Sequence, residues 1–177
     1  MILDFLIGKV ETEKCEEEIY KIKFKYKGIF DAKELYSQIY NWFLEGRWVD
    51  DQIESDKYEK YYYEKVTKEG LRFIEFQFIA KKTFHKEAPK IENVLKITVV
   101  ISAYDSNKKV GSVDFDIRGI IRYEKIKASS KLANMFGKIW EKGTLKTLEK
   151  EAKKALYMSV FGLRDFIIKY LKGYTFR

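Results

Sequence analysis

The sequence predicts an α+β fold in which an antiparallel sheet packs one face on a long C-terminal helix. Three observations predict it. Residues 19–28 alternate strictly between apolar and charged side chains. From Lys57 to about Lys125 alternating segments follow one another over short connections, and from Leu145 to Tyr170 apolar residues recur with a helical period. Short links between long alternating strands belong to an antiparallel meander with one wet face. The 177 residues read as a single domain, 1–177, long enough to bury a core without disulfides or metals.

In chain order, residues 1–10 (MILDFLIGKV) read as a weak strand. The acidic run Glu11, Glu13, Glu16, Glu17 and Glu18 reads as a loop, which completes an N-terminal segment 1–18. Strand, helix and meander then occupy 19–125. In the first strand Tyr20, Ile22, Phe24 and Tyr26 share one face and Lys21, Lys23, Lys25 and Lys27 the other. A lysine row suits a sheet edge, where it opposes unwanted strand pairing. A helix start follows, with Asp31 as N-cap, Glu34 completing a capping box and Phe30 placed to staple onto Leu35. That helix runs to about Glu45 with an inward stripe of Leu35, Ile39, Trp42 and Phe43, and Gly46 is expected to form a left-handed C-terminal cap. A charged loop, 47–56, surrounds Trp48.

The meander has four long strands. The first, 58–66, ends in the turn Thr67, Lys68, Glu69, Gly70. The second, 72–83, places Ile74, Phe76, Phe78 and Ala80 on one face. The third, 94–104, turns Leu95, Ile97, Val99, Ile101 and Ala103 inward and ends at Asp105 to Lys108. The last, 110–123, alternates Val113, Phe115, Ile117, Ile121 and Tyr123 against Ser112, Asp114, Asp116 and Arg118. Two helices are predicted within 131–172. A short one over 131–142 stops at Gly143, and a long one starts at the Thr144 cap and ends at Gly173. The long helix has the stripe Leu145, Leu148, Ala152, Ala155, Leu156, Leu163, Phe166, Ile167 and Tyr170.

With 46% apolar and 35% charged residues the composition is that of a globular protein, far from the signature of disorder. Cys15 is the single cysteine, so no intramolecular disulfide forms, and no secretory leader pattern is seen; the expected location is the reducing cytoplasm. The longest apolar stretch, Leu156 to Leu171, is broken by Arg164, Asp165 and Lys169, so no transmembrane segment is predicted. Abundant Lys and Glu, with few Asn and Gln, resemble thermophile compositions. The charge of +8 is uneven: from Lys131 onward eleven Lys and Arg face four Asp and Glu.

Chemical motifs are scarce. One His and one Cys cannot make a zinc site of Cys and His ligands in a monomer, and a Cys/His dyad would need Cys15 and His85 to meet. Neither GxGxxG nor GxxxxGK[ST] occurs. Asp114 and Asp116 share a strand face, and Asp50, Asp51, Glu54 and Asp56 crowd one loop without the ligand spacing of a calcium loop. No catalytic, cofactor-binding or metal-binding residue is assigned, and no cofactor is expected.

Two surfaces carry more information. Aromatic residues make up 16% of the chain, and Tyr58, Tyr61, Tyr62 and Tyr63 fall on both faces of one strand. They suit a second packed layer, a lined cavity or a base-stacking surface. On the long helix Lys146, Lys150, Lys153, Lys154, Arg164 and Lys172 fall within an arc of about 100°. Tyr157, Phe161 and Ile168 share it. Cations interleaved with apolar groups suit RNA or an anionic membrane surface, and equally a helix packed on both sides or buried in a homodimer.

The order of strand, helix, charged loop, meander and long terminal helix resembles the helix-grip fold of the START-like superfamily, over roughly residues 19–172. The resemblance implies a curved sheet wrapped around the last helix and a cavity for lipids, hormones or other apolar ligands. The expected function is therefore non-catalytic binding of an apolar or amphipathic small molecule between sheet and helix. Tyr62, Phe76, Phe78, Phe115, Leu163 and Phe166 are the expected lining. The alternatives are RNA binding through the basic arc and a homo-oligomeric interaction protein.

Overall fold

The alternating segments and the helical stripes fold as β1 (Glu11–Ile29), α1 (Ala32–Glu45), β2 (Val49–Asp50), β3 (Glu59–Val66), β4 (Arg72–His85), β5 (Ile91–Asp105), β6 (Val110–Lys127) and α2 (Lys146–Thr175). The computed structural model describes residues 11–52, 56–86, 90–127 and 146–175. The strands pair antiparallel in the order β1-β6-β5-β4-β2, and β3 lies along the same edge of β4 as β2. The short helix expected over 131–142, the Thr144 cap and the strand expected over 1–10 lie outside the described residues. Among those residues no helix is long and apolar enough to cross a membrane.

Strand register explains the core. Ile22, Ile117, Ile97 and Phe78 form one cross-strand row, Phe24, Phe115, Val99 and Phe76 the next, and Tyr26, Val113, Ile101 and Ile74 a third. These rows turn to one face because strand side chains alternate. Against that face α2 buries Ala152, Leu156, Val160, Leu163, Ile167 and Leu171, three or four residues apart, and α1 buries Ala32, Leu35, Ile39 and Phe43. Each large side chain so buried contributes about 1.5–3 kcal/mol. The two layers meet closely at Gly119, where a Cβ would stand 2.7 Å from Val160 Cγ2 and 3.0 Å from Leu156 Cγ. Asn93 adds a polar tie there, its Nδ2 donating to the Ala152 carbonyl at 3.1 Å.

Several local expectations need correction. The acidic run 11–18, expected as a loop, is the first half of β1. Glu16 and Glu18 face Arg122 and Arg118 of β6 at 2.6 and 3.4 Å, so cross-strand charge pairs replace burial as the reason for pairing. A bulge between Glu18 and Tyr20 joins this half to the Lys-lined half at the sheet edge. Gly46 does not supply a left-handed cap: its φ is −71°, and Arg47, at φ 55°, takes that conformation. Glycine is needed at position 46 because a Cβ would meet the Trp48 ring at 2.7 Å. Ala103, expected inside, is exposed at φ 50°; the shift of register between Ser102 and Asp105 turns Tyr104 inward instead. Gly173 does not end α2, which continues to Thr175 because the next residue, Tyr174, bonds back to α1.

Candidate functional site

The residues expected to line a cavity divide into three groups. Phe76, Phe78, Phe115 and Leu163 are fully buried and packed on neighbours. Tyr36 of α1 meets Phe76 and Phe78 edge-on, each at 5.0 Å between centroids, and Phe24 stacks on Phe115 at 4.6 Å. Tyr62 lies at the β3 edge, 47% exposed, with its hydroxyl donating to Glu64 at 3.0 Å. Partial burial, and then the Glu64 carboxylate, push its phenol up to about 12. Phe166 lines an open depression, a groove of about 400 Å³ between α1 and the last turns of α2.

The sequence builds that groove from two helix faces. Asp31 caps α1, its Oδ1 accepting from Lys33 N and Glu34 N at 3.0 Å each, and Lys109 pairs with its other oxygen at 2.8 Å. This fixes the first turn of α1 and the direction of Glu34. Glu34 and Gln38 then form one wall, and Phe166, Lys169, Tyr170, Gly173 and Tyr174 the other. Tyr170 and Tyr174 contact each other at 5.3 Å between centroids, 64° apart, and the Tyr174 hydroxyl donates to Glu34 Oε2. Glu34 was expected to complete a capping box with the Asp31 backbone; its carboxylate serves the groove instead. The Tyr170 hydroxyl is buried with no hydrogen bond of normal geometry. Burial first, and then the carboxylates of Glu34 and Asp31, hold its phenol well above the usual tyrosine range, so it stays protonated. The signal in the sequence for this wall is the spacing of Phe166, Tyr170 and Tyr174, each one helical turn from the next.

A second depression, of about 380 Å³, is lined by Lys14, Glu16, Asp51, Gln52, Lys81, Lys90, Glu92, Arg122 and Tyr123. Most of its charges are paired. Glu92 has Lys90 at 2.9 Å and Lys81 at 3.5 Å, and Lys60 reaches Asp50 at 2.7 Å and Asp51 at 2.5 Å. Burial works against the Glu92 charge, but Lys90, Lys81 and Arg122 together hold its carboxyl below the usual range. The crowded acids Asp50 and Asp51 are thus ion-pair partners; Glu54 lies outside the described residues.

Asp114 and Asp116 do project from one face, and each meets cations. Asp114 pairs with Lys25 at 3.4 Å, and Asp116 accepts two bonds from Arg118, both 3.0 Å, with Lys23 at 3.5 Å. The Arg118 guanidinium chiefly accounts for the lowered Asp116 carboxyl. Cys15 and His85 lie in one cross-strand row with Tyr123 and Ile91 between them, which separates them by roughly 14 Å at the usual strand spacing.

The basic arc of α2 borders β1. Lys146, Lys150, Lys154 and Lys172 are exposed, Lys153 pairs with Glu149 at 2.6 Å, and Arg164 pairs with Asp165 at 2.7 Å while standing 4.8 Å from the Phe161 centroid. Of the apolar members of the arc, Tyr157 meets Tyr20 of β1 at 5.6 Å and Phe161 of its own helix at 4.2 Å.

No family model matches the chain, and no curated protein matches it. Among solved structures, an uncharacterised protein from Rhizobium leguminosarum is similar over 89% of this chain and 99% of that one, at 7% identity and a TM-score of 0.22, a likeness too weak to carry an argument. Within the chain's own geometry, the α1–α2 groove sets three aromatic rings, Phe166, Tyr170 and Tyr174, opposite the Glu34 carboxylate.

Proposed function

We propose that the chain is a non-catalytic binding protein that holds an amphipathic small molecule in the groove between α1 and α2. The supporting observation is the lining: Phe166, Tyr170 and Tyr174 offer apolar surface, and Glu34 and Gln38 stand opposite as polar contacts. A volume of about 400 Å³ falls within the range of small-molecule sites. The helix-grip-like order of elements agrees with a binding role, and the ligand here sits beside the sheet–helix core instead of inside it. NMR shift mapping with single-chain amphiphiles tests the reading. Amide signals of Gln38, Phe166, Tyr170 and Gly173 are expected to move together; amphiphiles that leave them unmoved would defeat it.

A second reading, RNA binding, is supported by Lys146, Lys150 and Lys154, which are exposed one turn apart and have no acidic partner among the described residues. Affinity for a single-stranded RNA should then fall steeply with salt. Absence of binding at low salt removes it.

A further inference from the structure

Among the described residues the lining of the groove holds one carboxylate, Glu34, and one ammonium, Lys169, and the two stand in different surroundings. Glu34 accepts the Tyr174 hydroxyl, but a phenol does not cancel its charge, and among the described residues Glu34 has no ion pair. Asp31, one turn earlier, has Lys109 at 2.8 Å, and that ammonium also acts on Glu34 electrostatically without forming an ion pair with it. Glu34 also lies in the first turn of α1. The Tyr170 hydroxyl beside it is buried, so the local medium screens poorly. Among the described residues Lys169 is the one cation in the lining; its side chain is exposed, which leaves its ammonium in water, where screening is strong.

A carboxylate flanked by aromatic rings draws a cation in two ways, through its own charge and through the negative faces of the rings. Tyr170 and Tyr174, in edge-to-face contact 64° apart, both line the groove beside Glu34, and Phe166 continues the apolar wall one turn away. An anionic head would face Glu34 directly, and a neutral polar head would gain neither attraction. We infer that the polar end of the ligand is an organic cation, an alkylammonium group or its like, seated between the Glu34 carboxylate and the rings of Tyr170 and Tyr174. The apolar end then runs along Phe166. This rests on the groove being the binding site.

Calorimetric titration below the micelle threshold separates the two claims, using three compounds that share a dodecyl chain: dodecyltrimethylammonium, dodecyl maltoside and dodecyl sulfate. The ammonium compound is expected to bind about tenfold tighter than the maltoside, in keeping with one carboxylate and two rings. Glu34→Gln keeps an acceptor for Tyr174 and should shrink that preference to about twofold or less. Tyr174→Leu keeps the carboxylate, removes one ring, and should weaken the ammonium compound several-fold. Maltoside or sulfate binding as tightly as the ammonium compound, or a preference that survives in Glu34→Gln, overturns the cationic head while leaving the groove reading intact. Failure of all three to bind overturns both.

Discussion

The hydroxyl of Tyr174 is bonded to the carboxylate of Glu34, tying the last turn of α2 to the first turn of α1 across 140 residues of sequence. The bond joins the two helices that form the groove. Tyr174→Phe removes the donor and leaves the ring. It is expected to cost about 1 kcal/mol, the usual value for one partly exposed hydrogen bond, read as a lower urea midpoint with an unchanged m-value.

Gly173 lines the same groove inside a helix, and a Cβ there would meet nothing within 4 Å. Gly173→Ala should therefore stabilise the protein by up to about 1 kcal/mol through helix propensity alone. Thermal unfolding checks this, and a lower midpoint would contradict the open space at that position.

Gly119 is the opposite case. An added Cβ would sit 2.7 Å from Val160 Cγ2, and the backbone of β6 cannot retreat without disturbing the register with β1 and β5. Gly119→Ala is expected to cost about 1–3 kcal/mol by overpacking. Val160→Ala in the same chain should recover part of the loss, a coupling that a double-mutant cycle measures.

Acid should weaken the fold. Asp31 is lowered chiefly by its bond to Lys109, Asp116 by Arg118, and Glu92 by its three cations against the opposing effect of burial. A carboxyl whose folded pKa lies below its unfolded value contributes stability above the unfolded pKa and loses it as pH falls through the folded one. The ordinary values are 3.8 for Asp and 4.5 for Glu, so urea midpoints should hold steady down to about pH 5 and then fall. Asp31→Asn should flatten part of that fall. A midpoint that rises on acidification would reverse the sign.

Much of this was legible in the residues. Alternation placed Ile74, Phe76, Phe78, Leu95, Ile97, Val113 and Phe115 on the correct face, because a sheet with one buried face leaves no freedom of register. The Asp31 cap was equally plain. What stayed hidden depends on contacts distant in the chain. Residues 11–18 look like a loop until Arg118 and Arg122 stand opposite, and Ala103 looks internal until a bulge turns it out. Four of the six expected cavity residues are the same large apolar groups that a solid core uses, so sequence could not separate the two roles. Glu34 reads as a capping-box acid for the same reason: the partner that redirects it, Tyr174, is far away in the chain.

Calorimetry of wild type and Gly173→Trp with dodecyltrimethylammonium tests the central claim most directly, because an indole is introduced into the lining of the groove at a position where an added Cβ meets nothing within 4 Å. The wild-type protein should saturate with a single class of site, and Gly173→Trp should show none while unfolding at an equal or higher temperature. Equal binding by both proteins would contradict the groove as the ligand site.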